Sequence, residues 1–268
     1  MPLISVYSPK GGVGKTTLTA NLCYSLASMG LKAIAVDFDS QNALRLHFGV
    51  PLSDDAGFVP HAAQSAVWSE YVVSNRDNVF VLPHGKASKK QFAEYEQRLA
   101  SDDLFVARGL HSLLNQPDLI VIADLPSNHS AVRNALLPLT DLLLIPLLAD
   151  TASLSLLPQV EDLLDSFHAS NQDASGHIVL NQADYRRKMS KDVESFLRER
   201  FPDELLGIVH RDESVAEANA EQKSIFDVNY ASIAAFDIEV ISKKVSAMLG
   251  IQIGDGSTYA HADYPNNA

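Results

Sequence analysis

The sequence predicts an α/β protein with a doubly wound, mostly parallel sheet that is covered by helices on both faces. Short apolar runs alternate with longer helical patterns along most of the 268 residues. The runs are apolar at nearly every position, as expected for strands that are buried on both faces. A glycine-rich turn joins the first run to the first helical pattern, and carboxylates follow two of the runs. In such folds, ligands bind beyond the C-terminal ends of the strands.

The order of the predicted elements follows from this alternation. Strands are expected at residues 3–8, 32–38, 79–83, 118–124, 141–147, 176–181 and 205–210. Helices are expected at residues 15–29, 88–115 with a break near 101–103, 129–138, 152–169, 188–200, 213–222 and 231–249. We find no internal repeat and no linker composition, so one domain is expected over residues 1–250. The polar residues 251–268 predict a disordered tail.

Composition and charge limit the classes of function. The chain has 46% hydrophobic residues and a formal net charge of −12. This charge opposes nonspecific binding to nucleic acid or to an anionic membrane surface. The longest apolar run, residues 142–149, is too short to span a membrane, so direct membrane insertion is not expected. Cys23 is the only cysteine, which excludes an intramolecular disulfide. The start of the chain has no secretion-signal pattern, and we expect a cytoplasmic protein.

The most informative segment is residues 9–17, Pro-Lys-Gly-Gly-Val-Gly-Lys-Thr-Thr, between the first strand and the first helix. A glycine-rich turn in this place aims backbone N–H groups at a polyphosphate, and the helix N-terminus adds positive potential. Lys15 can reach the terminal phosphates, and the hydroxyl of Thr16 can ligate Mg²⁺. The sequence therefore predicts a nucleotide-phosphate site formed by Gly11, Gly12, Val13, Gly14, Lys15, Thr16 and Thr17.

Three carboxylates follow strands near the expected phosphate site. Asp37 and Asp39 end the second strand, and Asp124 ends the fourth. Because the carboxyl ends of parallel strands meet at one edge of the sheet, these acids are expected beside the phosphates. Acids in this position can hold Mg²⁺ and orient water for phosphoryl transfer. Turn formation and helix capping are the alternative roles.

The segment from Lys10 to Thr17 resembles the deviant P-loop of the MinD/ParA ATPases, whose signature residue is the first lysine. The resemblance implies ATP and Mg²⁺ as cofactors and an ATP-dependent homodimer with both nucleotides at the interface. It implies that Lys10 contacts the phosphates held by the other subunit, whereas Lys15 serves its own site. It also implies that Asp39 positions the attacking water. Asp37 would support the Mg²⁺ shell, and Asp124 would hold the ion through a water.

Base recognition is expected from two later segments. Asn181 ends the sixth predicted strand, where this family has an adenine-contacting asparagine. Residues 208–218 match the part of MinD-like proteins that borders the base, which makes Arg211 a candidate contact. His210 stands where most relatives have a proline, so this loop departs from the family pattern. Asparagine after a strand is also common in turns, which is the alternative for Asn181.

Two longer phrases look like the MinD-like ATPase of bacterial cellulose secretion, the BcsQ family. They are residues 42–48, Asn-Ala-Leu-Arg-Leu-His-Phe, and residues 210–217, His-Arg-Asp-Glu-Ser-Val-Ala-Glu, and the likeness spans most of residues 1–245. It implies a factor that regulates, assembles or localises the cellulose synthase complex through accessory proteins of that complex. It also implies recruitment by those partners to the inner membrane face or the cell pole.

Two other functions stay open. One is a ParA-type positioning ATPase that binds nucleoid DNA through the basic residues Arg186, Arg187, Lys188, Lys191, Arg198 and Arg200. Acidic residues are interleaved with them, which favours a solvated helix with salt bridges. The other is a nucleotide-gated scaffold with little hydrolysis, since the presence of hydrolytic residues does not fix a rate. Residues 51–117 are the least readable segment and a candidate partner surface.

Overall fold

The computed structural model describes residues 1–252, apart from the side chain of Ser130. The strands within this range are β1 (Leu3–Val6), β2 (Lys32–Asp37), β3 (Val73–Arg76), β4 (Val79–Leu82), β5 (Leu119–Asp124), β6 (Leu142–Leu148), β7 (Ser175–Ala183) and β8 (Leu205–His210). They form one eight-stranded sheet in the order β3-β4-β2-β5-β1-β6-β7-β8. All of the strand pairs are parallel except β3 with β4. The predicted fold class is confirmed.

Helices connect the strands and cover both faces of the sheet. The α-helices are α1 (Lys15–Ser28), α2 (Val59–Ala62), α3 (Lys89–Ser101), α4 (Phe105–Leu114), α5 (Ser130–Leu136), α6 (Thr151–Leu154), α7 (Leu157–Ser170), α8 (Lys188–Arg200), α9 (Glu213–Ala220), α10 (Ile225–Val228) and α11 (Ile233–Met248). Short 3₁₀ helices cover Leu44–Phe48, Trp68–Tyr71 and Leu137–Leu139. No helix among residues 1–252 has the length and apolar character needed to cross a membrane.

The strands divide the hydrophobic core into two layers. Leu3 belongs to the layer that packs under α3, α4, α5 and α7, whereas its neighbour Ile4 belongs to the layer under α1 and α11. Successive side chains of a strand point to opposite faces, so an uninterrupted apolar strand supplies both layers. This explains why β1 and β5 are fully buried along their whole length.

The order of the strands brings the candidate residues together. β1 is central and pairs with β5 on one side and with β6 on the other. β2 pairs with β5 so that Asp37 lies opposite Asp124. The glycine-rich turn after β1 therefore lies at the same edge of the sheet as the C-terminal ends of β5 and β6, and the two acids lie beside it.

The structure differs from the sequence expectations in several places; the short helices α2 and α10, for example, were not predicted. β3 was not predicted, because its sequence Val-Ser-Asn-Arg is mostly polar, and it forms an exposed antiparallel edge. The helix expected at residues 152–169 is two helices, α6 and α7, and α7 has Pro158 in its first turn, where proline is tolerated. Ile251, the first residue of the expected tail, packs against the core and donates to the Ser246 carbonyl at 2.9 Å. Residues 253–268 of that tail lie outside the described residues.

Candidate functional site

The glycine-rich turn forms an open concave loop in front of α1. Gly12 and Gly14 have φ values of 73° and 90°, a region that residues with a side chain rarely adopt. A Cβ atom on Gly11 or Gly12 would meet nothing within 4 Å, so the loop faces open space. α1 begins at Lys15 with no side-chain cap and no acidic residue in its first turn. Its first N–H groups therefore have the arrangement that binds an anion.

Lys15 connects this loop to the turn that follows β5. The side chain is almost fully buried, and its Nζ donates to Ser127 Oγ at 2.6 Å. The hydroxyl of Ser127 in turn donates to the Lys10 carbonyl at 3.1 Å. A phosphate placed in the loop would meet the Lys15 ammonium and the Ser127 hydroxyl together.

Thr16 and Asp124 form the next layer of the site. Thr16 Oγ1 donates to Asp124 Oδ2 at 2.6 Å. The other carboxylate oxygen, Oδ1, is buried and has no hydrogen-bond partner among residues 1–252. Burial raises the pKa of Asp124 to about 7, although the Thr16 hydrogen bond and the Lys15 charge oppose this shift. A divalent cation at this place would supply the positive charge that the buried carboxylate lacks.

Asp37 holds the backbone of the turn that carries Asp39. Its oxygens accept the N–H groups of Asp39 at 3.0 Å and of Leu44 at 3.1 Å. Burial raises its pKa well above the usual value, and the nearby charge of Asp124 adds to this shift. Asp39 itself is partly exposed, and its Oδ1 accepts the N–H of Gln41 at 3.0 Å. The second acid is thus the one that solvent and ligand can reach.

Lys10 is turned towards the strand on the other side of β1. Its Nζ lies 2.6 and 2.8 Å from the two oxygens of Asp150 and 3.3 Å from Ser153 Oγ. Asp150 is the N-cap residue of α6, directly after β6. Partial desolvation raises the pKa of Asp150, but the hydrogen bond from Lys10 outweighs this effect and holds the pKa below its usual value. The lysine expected to reach another subunit is therefore paired within its own chain here.

A cavity of about 320 Å³ lies beside the loop, at the start of α1. Gly14, Thr17, Asn181, Gln182, His210 and Arg211 are among its lining residues. Asn181 Nδ2 donates to the Val13 carbonyl at 2.7 Å, which attaches the end of β7 to the glycine-rich turn, the candidate phosphate loop. A Cβ atom on Gly14 would lie 2.4 Å from this same nitrogen. Both candidate base contacts, Asn181 and Arg211, line one cavity next to the phosphate loop.

Three polar residues of this region were not predicted from the sequence. Ser127 holds Lys15, Asp150 holds Lys10, and Asp237 on α11 holds His210. A signal was available for Asp150, because an acid directly after an apolar strand is the same pattern that identified Asp124. Asp237 lies inside a helix and has no comparable local signal.

Comparisons with known proteins show the family of this chain. A family model described as cellulose biosynthesis protein BcsQ matches residues 1–245. The cellulose biosynthesis protein BcsQ of Escherichia coli strain K12 is 24% identical over 241 residues, which cover 89% of this chain and 91% of that protein.

Solved structures resemble the fold over nearly its whole length. The septum site-determining protein MinD of Pyrococcus horikoshii OT3, solved with Mg-ADP, has a TM-score of 0.73 and 23% identity, covering 93% of this chain and 97% of that chain. An ATP complex of a McdA variant from Cyanothece has a TM-score of 0.75 and 20% identity, covering 94% and 97%. Because the family model covers most of the sequence, the chain belongs to the cellulose biosynthesis protein BcsQ family, with a MinD-like P-loop fold.

Proposed function

We propose that this chain is an ATPase that binds ATP with Mg²⁺, forms an ATP-dependent homodimer, and regulates or assembles the bacterial cellulose synthase complex. The assignment as an ATPase rests on one observation. The glycine-rich loop is open, and Lys15, Thr16 and Asp124 lie beside it. Bound Mg²⁺ would neutralise charge on the phosphates during hydrolysis. The MinD structure with Mg-ADP, which has the same fold, supports the choice of ligand.

Different residues of the site would bind the phosphates and the Mg²⁺ ion. The loop residues Gly11, Gly12, Val13 and Gly14 and the first turn of α1, with Thr17, offer backbone N–H groups to the phosphates. Lys15 adds a fixed positive charge, since it is buried and oriented by Ser127. Thr16, Asp124 and, behind them, Asp37 would hold Mg²⁺, which proteins bind through one or two carboxylates together with substrate phosphates. The unpartnered Oδ1 atom of Asp124 supports this assignment.

We assign to Asp39 the role of positioning the attacking water. Asp37 accepts the Asp39 backbone N–H and so fixes the turn, while the Asp39 carboxylate stays partly exposed at the edge of the site. Phosphoryl transfer needs mainly positioning and charge neutralisation, so an oriented water beside two lysines and a metal is sufficient for slow hydrolysis. A partner that improves the position of this water would raise the rate.

In the proposed dimer, Lys10 must break its ion pair with Asp150 of the same subunit before it can contact the phosphates of the other subunit. Both Lys10 and Asp150 are partly exposed, with 20% and 43% of their side-chain surface accessible. Ion pairs with this exposure contribute only about 0–1 kcal/mol, so contact with the phosphates of a second subunit can replace the pair. The homodimer would then contain two ATP molecules, each contacted by the Lys10 residue of the opposite subunit.

The cellular role rests on family membership. The model of the BcsQ family covers residues 1–245, and the Escherichia coli relative is named for cellulose biosynthesis. We infer that accessory proteins of the cellulose synthase complex are the partners, and that they recruit this cytoplasmic protein to the inner membrane face or the cell pole. Hydrolysis would release the dimer from those partners.

The DNA-binding alternative has less support from the arginines that precede α8 and lie in its last turn. Arg186 and Arg187 pair with Asp184, Arg198 pairs with Glu194, and Arg200 pairs with Glu161. Arginines that already have carboxylate partners on an acidic protein are poorly placed to attract phosphates. A scaffold with little hydrolysis is the second alternative, and the Asp39 variants described in the Discussion separate it from the ATPase.

Measurement of the molecular mass of the protein in solution tests the proposed ATP-dependent dimer. We expect a monomer with ADP, a dimer with ATP and Mg²⁺, and a monomer again with ATP and Mg²⁺ after Lys10→Ala. Lys15→Ala is expected to lose nucleotide binding as well. A monomer under all conditions, or a Lys10→Ala variant that dimerises like the wild type, would contradict the dimer with Lys10 in trans.

The cellular part needs a separate readout. Cells that carry Lys15→Ala at the normal protein level are expected to make less cellulose than wild-type cells. Normal cellulose output in those cells would exclude a nucleotide-dependent role in cellulose production and leave the ATPase assignment standing.

A further inference from the structure

The cavity beside the phosphate loop contains a pair of residues, His210 and Asp237, that phosphate binding does not use. The backbone N–H of His210 donates to Asp237 Oδ2 at 2.8 Å, and the ring atom Nδ1 lies 2.7 Å from the same oxygen. His210 ends β8, and Asp237 lies on α11, where 11% of its side-chain surface is exposed. One carboxylate from a different element therefore holds both the backbone and the ring of His210.

The orientation of the His210 ring follows from these contacts. Tyr185 packs edge-on against the ring, with 4.7 Å between centroids and 89° between planes. A carboxylate accepts hydrogen bonds, so Nδ1 must carry the hydrogen that points at Asp237. In the neutral imidazole, Nε2 is then a hydrogen-bond acceptor. His210 lines the cavity, and Nε2 is its ring nitrogen without a hydrogen bond among residues 1–252, so we infer that this atom is available to a ligand there.

A bulge on the neighbouring strand shapes the same wall of the cavity. Leu180 lies opposite Ile208, but Ala183 lies opposite His210, so β7 has one extra residue between these points. Gln182, within the bulge, has a φ of 55°, an uncommon conformation for a residue with a side chain. Bulges re-aim side chains and are frequent beside functional sites.

The bulge limits what Asn181 can offer to a base. Asn181 Oδ1 accepts the Gln182 N–H at 3.0 Å, and one amide hydrogen is donated to the Val13 carbonyl at 2.7 Å. The second amide hydrogen remains, and it can serve an acceptor on the ligand. The cavity thus presents a donor from Asn181 and an acceptor from His210.

We propose that His210, oriented by Asp237, selects adenine over guanine in this cavity, an inference that rests on the proposed function as a nucleotide-binding protein. Adenine presents an amino donor where guanine presents a carbonyl acceptor. The amino group of adenine can donate to His210 Nε2. The carbonyl oxygen of guanine would instead face the lone pair of His210 Nε2, and these two acceptors would have no hydrogen between them. His210 is then the specificity-determining residue and Asp237 its positioning residue.

The test compares the affinities for non-hydrolysable analogues of ATP and GTP, measured by calorimetry with Mg²⁺. The wild type is expected to prefer the ATP analogue. His210→Ala should weaken ATP binding and reduce the ATP-to-GTP preference about fivefold, the loss of one neutral hydrogen bond. His210→Gln should keep ATP binding and strengthen GTP binding, because its amide can turn either an oxygen or an N–H towards the base. His111→Ala, which removes an exposed histidine from α4, is the matched control and should change neither affinity.

Three outcomes would overturn the inference. The first is an ATP-to-GTP ratio in both His210 variants that stays within about twofold of the wild type, and the second is a wild type that binds both analogues equally. In these two cases nucleotide binding persists, so the proposed function survives. The third is a wild type that binds neither analogue, which removes the inference and the proposed function together. Preserved thermal unfolding of the variants shows that the comparison concerns binding and not folding.

Discussion

The Lys10 ammonium lies between both carboxylate oxygens of Asp150, at 2.6 and 2.8 Å, although 140 positions of sequence separate the two residues. Asp150 also accepts the Ser153 N–H at 2.7 Å and so caps α6. The signature lysine of the phosphate loop is thereby tied to the end of β6. In the proposed dimer, this pair must break before Lys10 can reach the phosphates of another subunit, so it opposes dimerisation.

Asp150→Asn is therefore expected to favour the dimer. Asparagine keeps the cap of α6, because it is as good an N-cap residue as aspartate, but it lacks the charge that holds Lys10. A partly exposed ion pair contributes at most about 1 kcal/mol, and the dimer breaks one such pair in each subunit, so the dimer dissociation constant should fall by up to about 30-fold. Sedimentation at several protein concentrations, with Mg²⁺ and a non-hydrolysable ATP analogue, measures this constant.

The control for that experiment is the double variant Lys10→Ala with Asp150→Asn. It has no lysine to release, so it should stay monomeric at the concentrations where Asp150→Asn dimerises. If Asp150→Asn dimerises as the wild type does or more weakly, the pair does not oppose dimerisation.

Substitution of Asp39 should separate hydrolysis from dimer formation. Asp39→Asn keeps an oxygen that can accept the Gln41 N–H, whereas Asp39→Ala removes it, and both lack the carboxylate that we assign to the attacking water. We expect hydrolysis to fall by about 10²-fold or more in both variants, the usual size of such an effect. The ATP dimer should persist for much longer than in the wild type. A dimer lifetime equal to that of the wild type would favour the nucleotide-gated scaffold.

Gly11 and Gly14 of the phosphate loop should respond differently to alanine. In Gly14→Ala, a φ of 90° and a Cβ atom 2.4 Å from Asn181 Nδ2 should destabilise the fold by at least about 1–2 kcal/mol. In Gly11→Ala, the new methyl group meets open space, so the stability should stay within about 0.5 kcal/mol.

The same methyl group on Gly11 would lie in open space at the loop that is proposed to bind the phosphates. We therefore expect Gly11→Ala to weaken ATP binding while its denaturation midpoint stays unchanged. Urea unfolding and calorimetric titration of both variants measure the two effects separately. If Gly11→Ala binds ATP as tightly as the wild type, the phosphates do not occupy this loop.

The parts of this protein that could be predicted from sequence depend on local rules. A buried strand, a glycine turn and a helix in succession place Lys15 and Thr16 without any knowledge of the rest of the chain. Asp37 and Asp124 could be placed together because both follow strands of one parallel sheet.

The missed features depend on contacts that no local rule encodes. Whether Lys10 pairs with Asp150 is decided by the neighbouring positions of β1 and β6, which the sequence order does not give. The Asp237 contact to His210 depends on how α11 lies against β8. β3 escaped detection for a different reason, since a polar edge strand has neither the apolar run nor the alternation that identifies strands.

Acid should destabilise the fold through His47, whose burial lowers its pKa from 6.5 to about 4. The unfolded chain binds this proton more readily than the folded one, so the free energy of unfolding decreases as the pH falls from about 6.5 towards 4. His47→Gln cannot titrate and should remove up to about 3 kcal/mol of this pH dependence, at about 1.4 kcal/mol per pKa unit. Burial also lowers the pKa values of His84 and His177, so these two residues should still contribute to the pH dependence of stability in His47→Gln. Urea unfolding at pH 7 and pH 4.5 provides the measurement, with exposed His111→Gln as the control; equal losses in His47→Gln and the wild type would show that His47 does not contribute.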